Sequence, residues 1–148
     1  MREEALSRGA WAGALSQCLG RKLQSSQIEN MLGIIGEYKY PFSLNVLLLY
    51  VAYQAGRGIM DRNLAQTMTE DLLYLGEMID KLRSGTSVRE FDPDEVLRSY
   101  LGAMKWVATA IEKGRMYAIC RSTRRRGPER PDVRQVAAML FKVQGGRR

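Results

Sequence analysis

Eight arginines carry the chemistry that this sequence offers. Arg57 and Arg62 flank a junction loosened by Gly56 and Gly58, where backbone could approach a phosphate. Arg115 and Arg121 bracket Tyr117, and Arg124, Arg125, Arg126 and Arg130 form a dense cluster just beyond. A guanidinium grips a phosphate through a planar, two-pronged fork, and an interleaved tyrosine adds a face on which a base can stack. These residue types therefore point to binding of a polyanionic backbone. A smaller group, Tyr38-Lys39-Tyr40, has the same ingredients, but a turn before Pro41 also uses tyrosines for packing, and packing is the preferred reading.

The residues that are missing narrow the field further. The chain has no histidine, which removes the usual general base, the usual zinc ligand and any Ser-His or Cys-His nucleophile. Cys18 and Cys120 stand too far apart to build a zinc site without histidine support. They are read as reduced, small apolar residues of a cytoplasmic protein, with a single bridge as the alternative. Gly56-Arg57-Gly58 lacks the third glycine of a dinucleotide fingerprint, since Asp61 occupies that place, and no Walker-type lysine follows a glycine loop. The acidic pairs Glu70-Asp71 and Asp92/Asp94/Glu95 are explained by helix capping and solvated faces. The expectation is a non-enzymatic binding protein with no metal and no cofactor.

Charge is distributed unevenly. From Lys113 to Arg148 eleven Lys/Arg face two acids, a balance of +9, whereas residues 1–112 hold twelve against fourteen. A field of this kind draws in polyanions, of which nucleic acid is the commonest. A solvated tail that only aids solubility is the competing reading. The longest apolar run, Leu44 to Tyr53, is too short to span a bilayer, so no membrane partner is expected.

The elements that must hold these arginines are helical. Trp11, Leu15, Cys18 and Leu19 predict a first helix near residues 3–20. Ser26 and Glu29 read as a capping box for a second, with Ile28, Met31, Leu32 and Ile35 on one face. Gly33 and Gly36 weaken that helix unless another backbone packs against them. Ser43 is placed as the cap of a third helix, Leu44–Gln54, whose apolar residues run nearly all round and so predict a central position. A fourth helix runs from Asp61 or Asn63 to Ser84 on the stripe Leu64, Met68, Leu72, Leu75, Ile79 and Leu82. Asp92 and Pro93 open a fifth, with Leu97, Leu101, Met104, Ala108 and Ile111 inward, continuing past Gly114 to about Cys120. Pro131 opens a short last helix after a basic linker. The chain thus reads as one all-α, single-domain bundle of five or six helices over residues 1–120. A basic C-terminal extension over 121–148 follows, taken to be mobile.

Two stretches resemble a known family. Leu23-Gln24-Ser25-Ser26-Gln27-Ile28 and Tyr50-Val51-Ala52-Tyr53-Gln54-Ala55-Gly56-Arg57 are similar to the small helical subunit of type III CRISPR interference complexes, the Csm-type small subunit. A late helix at Leu101–Lys113 fits the same pattern, so the similarity covers roughly residues 23–115. The resemblance implies a non-catalytic all-α subunit, several copies of which line a guide RNA–target RNA duplex and touch phosphates without reading bases. The partners it implies are guide RNA, target RNA and other CRISPR effector subunits, with self-association allowed. Arg57 is the residue carried over first, because it lies in the matched motif. A free-standing basic protein that binds duplex DNA, and a helical adaptor for an acidic protein, are the other two readings.

Overall fold

The computed structural model describes residues 1–85, 92–125 and 130–143. Seven α-helices account for most of these: α1 (Arg2–Cys18), α2 (Ser25–Glu37), α3 (Phe42–Gly56), α4 (Arg62–Ser84), α5 (Pro93–Gly114), α6 (Cys120–Arg125) and α7 (Val133–Phe141), with a 3₁₀ turn at Tyr117–Ile119. No strand occurs among the described residues. The chain is all-α.

Several helix boundaries follow directly from capping chemistry. Asp61 accepts the Asn63 N–H at 2.8 Å and opens α4, which closes at Gly85. Asp92 accepts the Asp94 N–H at 3.0 Å and opens α5, with Pro93 in the first turn, where its missing N–H costs nothing. Asp132 and Gln135 form a reciprocal capping box on α7. The box expected at Ser26 is absent: α2 starts two residues earlier, at Ser25, and Gln24 takes the cap position without a side-chain bond. Ser43 does not cap α3 either. Its hydroxyl donates to Asp94 Oδ1 at 2.6 Å and ties the start of α3 to the start of α5. The fifth helix stops at Gly114 rather than near Cys120, because Arg115 turns into the left-handed region at φ 53° and ends the hydrogen-bond ladder.

The centre of the molecule is α1 against α5, not α3. A Cβ added to Gly9 would stand 2.1 Å from the Tyr100 carbonyl oxygen, and one added to Gly13 would stand 2.5 Å from that of Met104. The two backbones are therefore in direct contact, which only glycine permits at these positions. α4 packs on both α1 and α5, α3 on α4 and α2, and α2 closes against α5. Leu64, Met68, Leu72, Leu75 and Ile79 of α4 and Leu97, Leu101, Met104 and Ile111 of α5 are all fully buried, as their stripes predict, whereas Leu82, expected on the α4 stripe, is exposed in the last turn. By contrast α3 turns Phe42, Leu49 and Tyr53 to solvent, with Leu49 71% exposed. Its all-round apolar character reflects an outward apolar ridge, not a central position.

The C-terminal segment is docked. Ile119, Cys120 and Val136 join Ala10, Trp11, Ala14 and Ile111 in a second apolar cluster on the far side of α1. Cys18 and Cys120 form a disulfide across Cα atoms 5.3 Å apart, which overturns the expectation that both are reduced. Pro131 is buried, and the Val133 N–H donates to the Ser7 hydroxyl at 3.3 Å. Residues 130–143 are thus part of the folded body rather than a mobile extension. The expected fraying of Gly145–Arg148 lies outside the described residues.

Candidate nucleic-acid interface

Contacts between helices fix their directions and hence what shares each end. Gly9 and Gly13 meet Tyr100 and Met104 in the same order, so α1 and α5 run parallel. Glu29 of α2 pairs with Lys105, while Tyr40, just after α2, donates its N–H to Asp94 at the start of α5. Hence α2 runs antiparallel to α5. Tyr50 of α3 donates to Gln27 of α2 at 2.6 Å, and Ser43 meets Asp94, so α3 returns parallel to α5. The Tyr40 hydroxyl reaches Asp80 at 2.8 Å, and Tyr100 reaches Asp71, which sets α4 antiparallel to α5.

One end of the bundle therefore collects the C-terminal ends of α1, α3 and α5 with the N-terminal ends of α2 and α4. Arg57, Arg62 and Arg115 all fall there, and all three are exposed. Arg21, Lys22 and Lys113 join them, and the Cys18–Cys120 bridge brings exposed Arg121 to the same end. Against these seven cations stand Asp61, whose carboxylate caps α4, and Glu112. None of the seven has a carboxylate within ion-pairing distance among the described residues. The other end carries Asp80, Asp92, Asp94 and Glu95, interleaved with Arg2, Lys81 and Arg83. The fold turns a chain whose first 112 residues are nearly neutral into a bundle with a cationic end.

Helix dipoles account for part of this arrangement. Arg57 caps α3, and Lys113 and Arg115 sit at the end of α5, where the negative end of a helix welcomes cations. Arg62 does not fit that account, because it is the first residue of α4 and lies at a positive helix end. The Asp61 carboxylate that caps α4 supplies the negative charge this N-terminal turn favours.

Two aromatics are held beside the cationic end. Arg57 lies over the Tyr53 ring at 5.3 Å, and Lys22 lies over the Tyr117 ring at 4.3 Å while donating to its hydroxyl at 3.3 Å. Such pairs keep a cation extended and its ring oriented. Of the Tyr38-Lys39-Tyr40 group only Tyr40 packs, since Tyr38 and Lys39 are exposed; burial and the hydrogen bond to Asp80 push the Tyr40 phenol well above its ordinary pKa.

The other arginines named from the sequence go elsewhere. Arg124 is exposed on α6; Arg125 ends the same helix, with its side chain outside the described residues, as is all of Arg126. Arg130 is turned inward onto Asp71, with Glu70 at 3.8 Å. Asp71 is fully buried and also accepts from Arg8 Nη1 and from the Tyr100 hydroxyl, each at 2.8 Å. Burial pushes the Asp71 carboxyl up, against the pull of Arg130, Tyr100 and Arg8 in the other direction. Arg8 in turn bonds Glu4 at 3.0 Å and lies 3.8 Å over the Tyr74 ring. This buried network pins the segment before α7 to α1 and α4, so the Arg130 charge is balanced inside the molecule. Arg21 and Lys22 were missed because a local reading sees only a loop between two helices; only the topology places them beside Arg57 and Arg115.

No helix of the described residues is long and apolar enough to cross a membrane. No protein-family model matches the chain, and no curated protein or solved structure matches it significantly.

Proposed function

We propose that this protein binds the backbone of RNA through the cationic end of its bundle, as a non-catalytic small subunit of a type III CRISPR ribonucleoprotein. The observation that carries the reading is the position of Arg57. It lies in the stretch that resembles the family, and its exposed guanidinium sits among Arg21, Lys22, Arg62, Lys113, Arg115 and Arg121 at one end of the fold. Phosphates spaced along a strand suit such a set of unpaired cations, and contacts of this type are tolerant of sequence and sensitive to salt. The partners are then guide RNA, target RNA and neighbouring effector subunits.

The test is to isolate the protein from its native cells and ask whether guide RNA travels with it. Titration with single-stranded RNA, RNA duplex and DNA duplex at two salt concentrations accompanies this. The proposal expects co-purified guide RNA and an RNA preference that weakens steeply with salt. A preference for DNA duplex would point instead to a free-standing DNA-binding protein. Absence of binding to either at low salt would leave an adaptor for an acidic protein.

A further inference from the structure

Trp106 is the most exposed large apolar side chain among the described residues, at 77%. It belongs to neither apolar cluster, whereas the other tryptophan, Trp11, is buried in one of them. An exposed indole in the middle of a helix serves nothing within this fold. Its surroundings say what it can serve. On the same face of α5, Gly102 stands one turn before it and Thr109 and Lys113 follow at one and two turns. A Cβ at Gly102 would meet nothing within 4 Å, so the flank of the indole beside it is open. Lys105 is paired with Glu29 of α2, which fixes this part of α5 to its neighbour.

The face around Trp106 is not an apolar patch. Its members are Ser99, Gly102, Thr109, Ala110 and Lys113, small or polar residues unlike the bulky apolar setting of a protein-binding hot spot. It is instead a lone aromatic ring leading into cations. Lys113 lies about 10 Å farther along the helix at 1.5 Å per residue, and Arg115 follows at the cationic end. That distance is about three stacked nucleotides at 3.4 Å each, and fewer once one base is unstacked. A paired base offers no free face to such a ring, but an unpaired one does.

We propose that Trp106 is a stacking platform for one unpaired base of a single-stranded RNA whose neighbouring phosphates are held by Lys113, Arg115 and the rest of the cationic end. The proposal rests on the phosphate-binding reading above and adds a preference for single strands.

Two readouts on the full chain keep the proposal and that reading apart. Anisotropy of a labelled oligoadenylate reports whether RNA binds at all, and tryptophan emission reports whether an indole stacks, with buried Trp11 as a constant background. Oligoadenylate binding is expected to quench the emission. In Trp106→Phe the quench should vanish while most affinity remains. In Trp106→Ala affinity for the single strand should fall by about five- to a hundred-fold, the range for loss of one base–aromatic stack, with affinity for an RNA duplex unchanged. Circular dichroism checks that helix content is kept, as expected for so exposed a residue. RNA that binds without quenching, with Trp106→Ala unaltered, overturns the stacking role and leaves phosphate binding standing. An equal loss for duplex and single strand also overturns it, and no binding at all overturns both.

Discussion

Gly9→Ala and Gly33→Ala add the same methyl group to two helices, and the structure predicts opposite results. At Gly9 the new Cβ would stand 2.1 Å from the Tyr100 carbonyl oxygen, 2.9 Å from its carbon and 3.2 Å from the Ala103 Cβ. A tolerable carbon–oxygen approach is about 3.3 Å, so α1 and α5 must separate locally by roughly 1.2 Å. Backbone, unlike a side chain, cannot swing aside. A gap of this size forfeits about half or more of each dispersion contact it opens, and overpacking typically costs about 1–3 kcal/mol. The upper part of that range applies here, less about 1 kcal/mol gained because alanine favours helix over glycine. A net loss of about 2 kcal/mol results, equivalent to a fall in Tm of about 4–8 °C for a chain of this size. At Gly33 a Cβ meets nothing within 4 Å, and the same change should add about 0.4–1 kcal/mol. Urea denaturation followed by far-UV circular dichroism reads both, as midpoints displaced in opposite directions at unchanged slope. A Gly9→Ala protein as stable as the parent would refute the backbone contact at the centre of the fold.

Other features give equally definite expectations. Asp71→Ala leaves Arg8 and Arg130 without their shared partner and should cost about 3–5 kcal/mol by denaturant unfolding, whereas Tyr100→Phe, which removes one bond to that charge, should cost only about 1.5–3 kcal/mol. Reduction of Cys18–Cys120, with a sequence separation of 102, should lower stability by up to about 4.7 kcal/mol on the chain-entropy account; identical unfolding curves with and without reductant would show that the bridge does not form in solution.

Much of the helical framework is written locally. The α4 and α5 stripes, the Asp61 and Asp92 caps and the Gly85 stop depend on residues a few positions apart, so periodicity and capping chemistry suffice to find them. What escaped the sequence depends on partners far along the chain. Gly9 and Gly13 read only as weak helix formers until α5 is laid against them. The apolar residues of α3 cannot by themselves say whether Leu49 faces a core or solvent. Arg130 looks like one more member of a basic cluster until Asp71, 59 residues away, takes its charge inside. Of the candidate interface, Arg57, Arg62, Arg115 and Arg121 were visible as cations, but their shared location is a product of helix direction, and so is the addition of Arg21, Lys22 and Lys113. Trp106 attracted no notice because nothing in a single helix pattern reports that its face has no neighbour.

Phosphate binding by the exposed cations at one end of the bundle is read most directly from the salt dependence of single-stranded RNA affinity, compared between the parent and an Arg57→Ala, Arg62→Ala, Arg115→Ala triple variant. Each phosphate contact contributes about −0.7 to the slope of log affinity against log salt. The triple variant is expected to bind more weakly at low salt, with a slope shallower by about 2. Equal affinity and equal slope in the two proteins would contradict phosphate binding at that end.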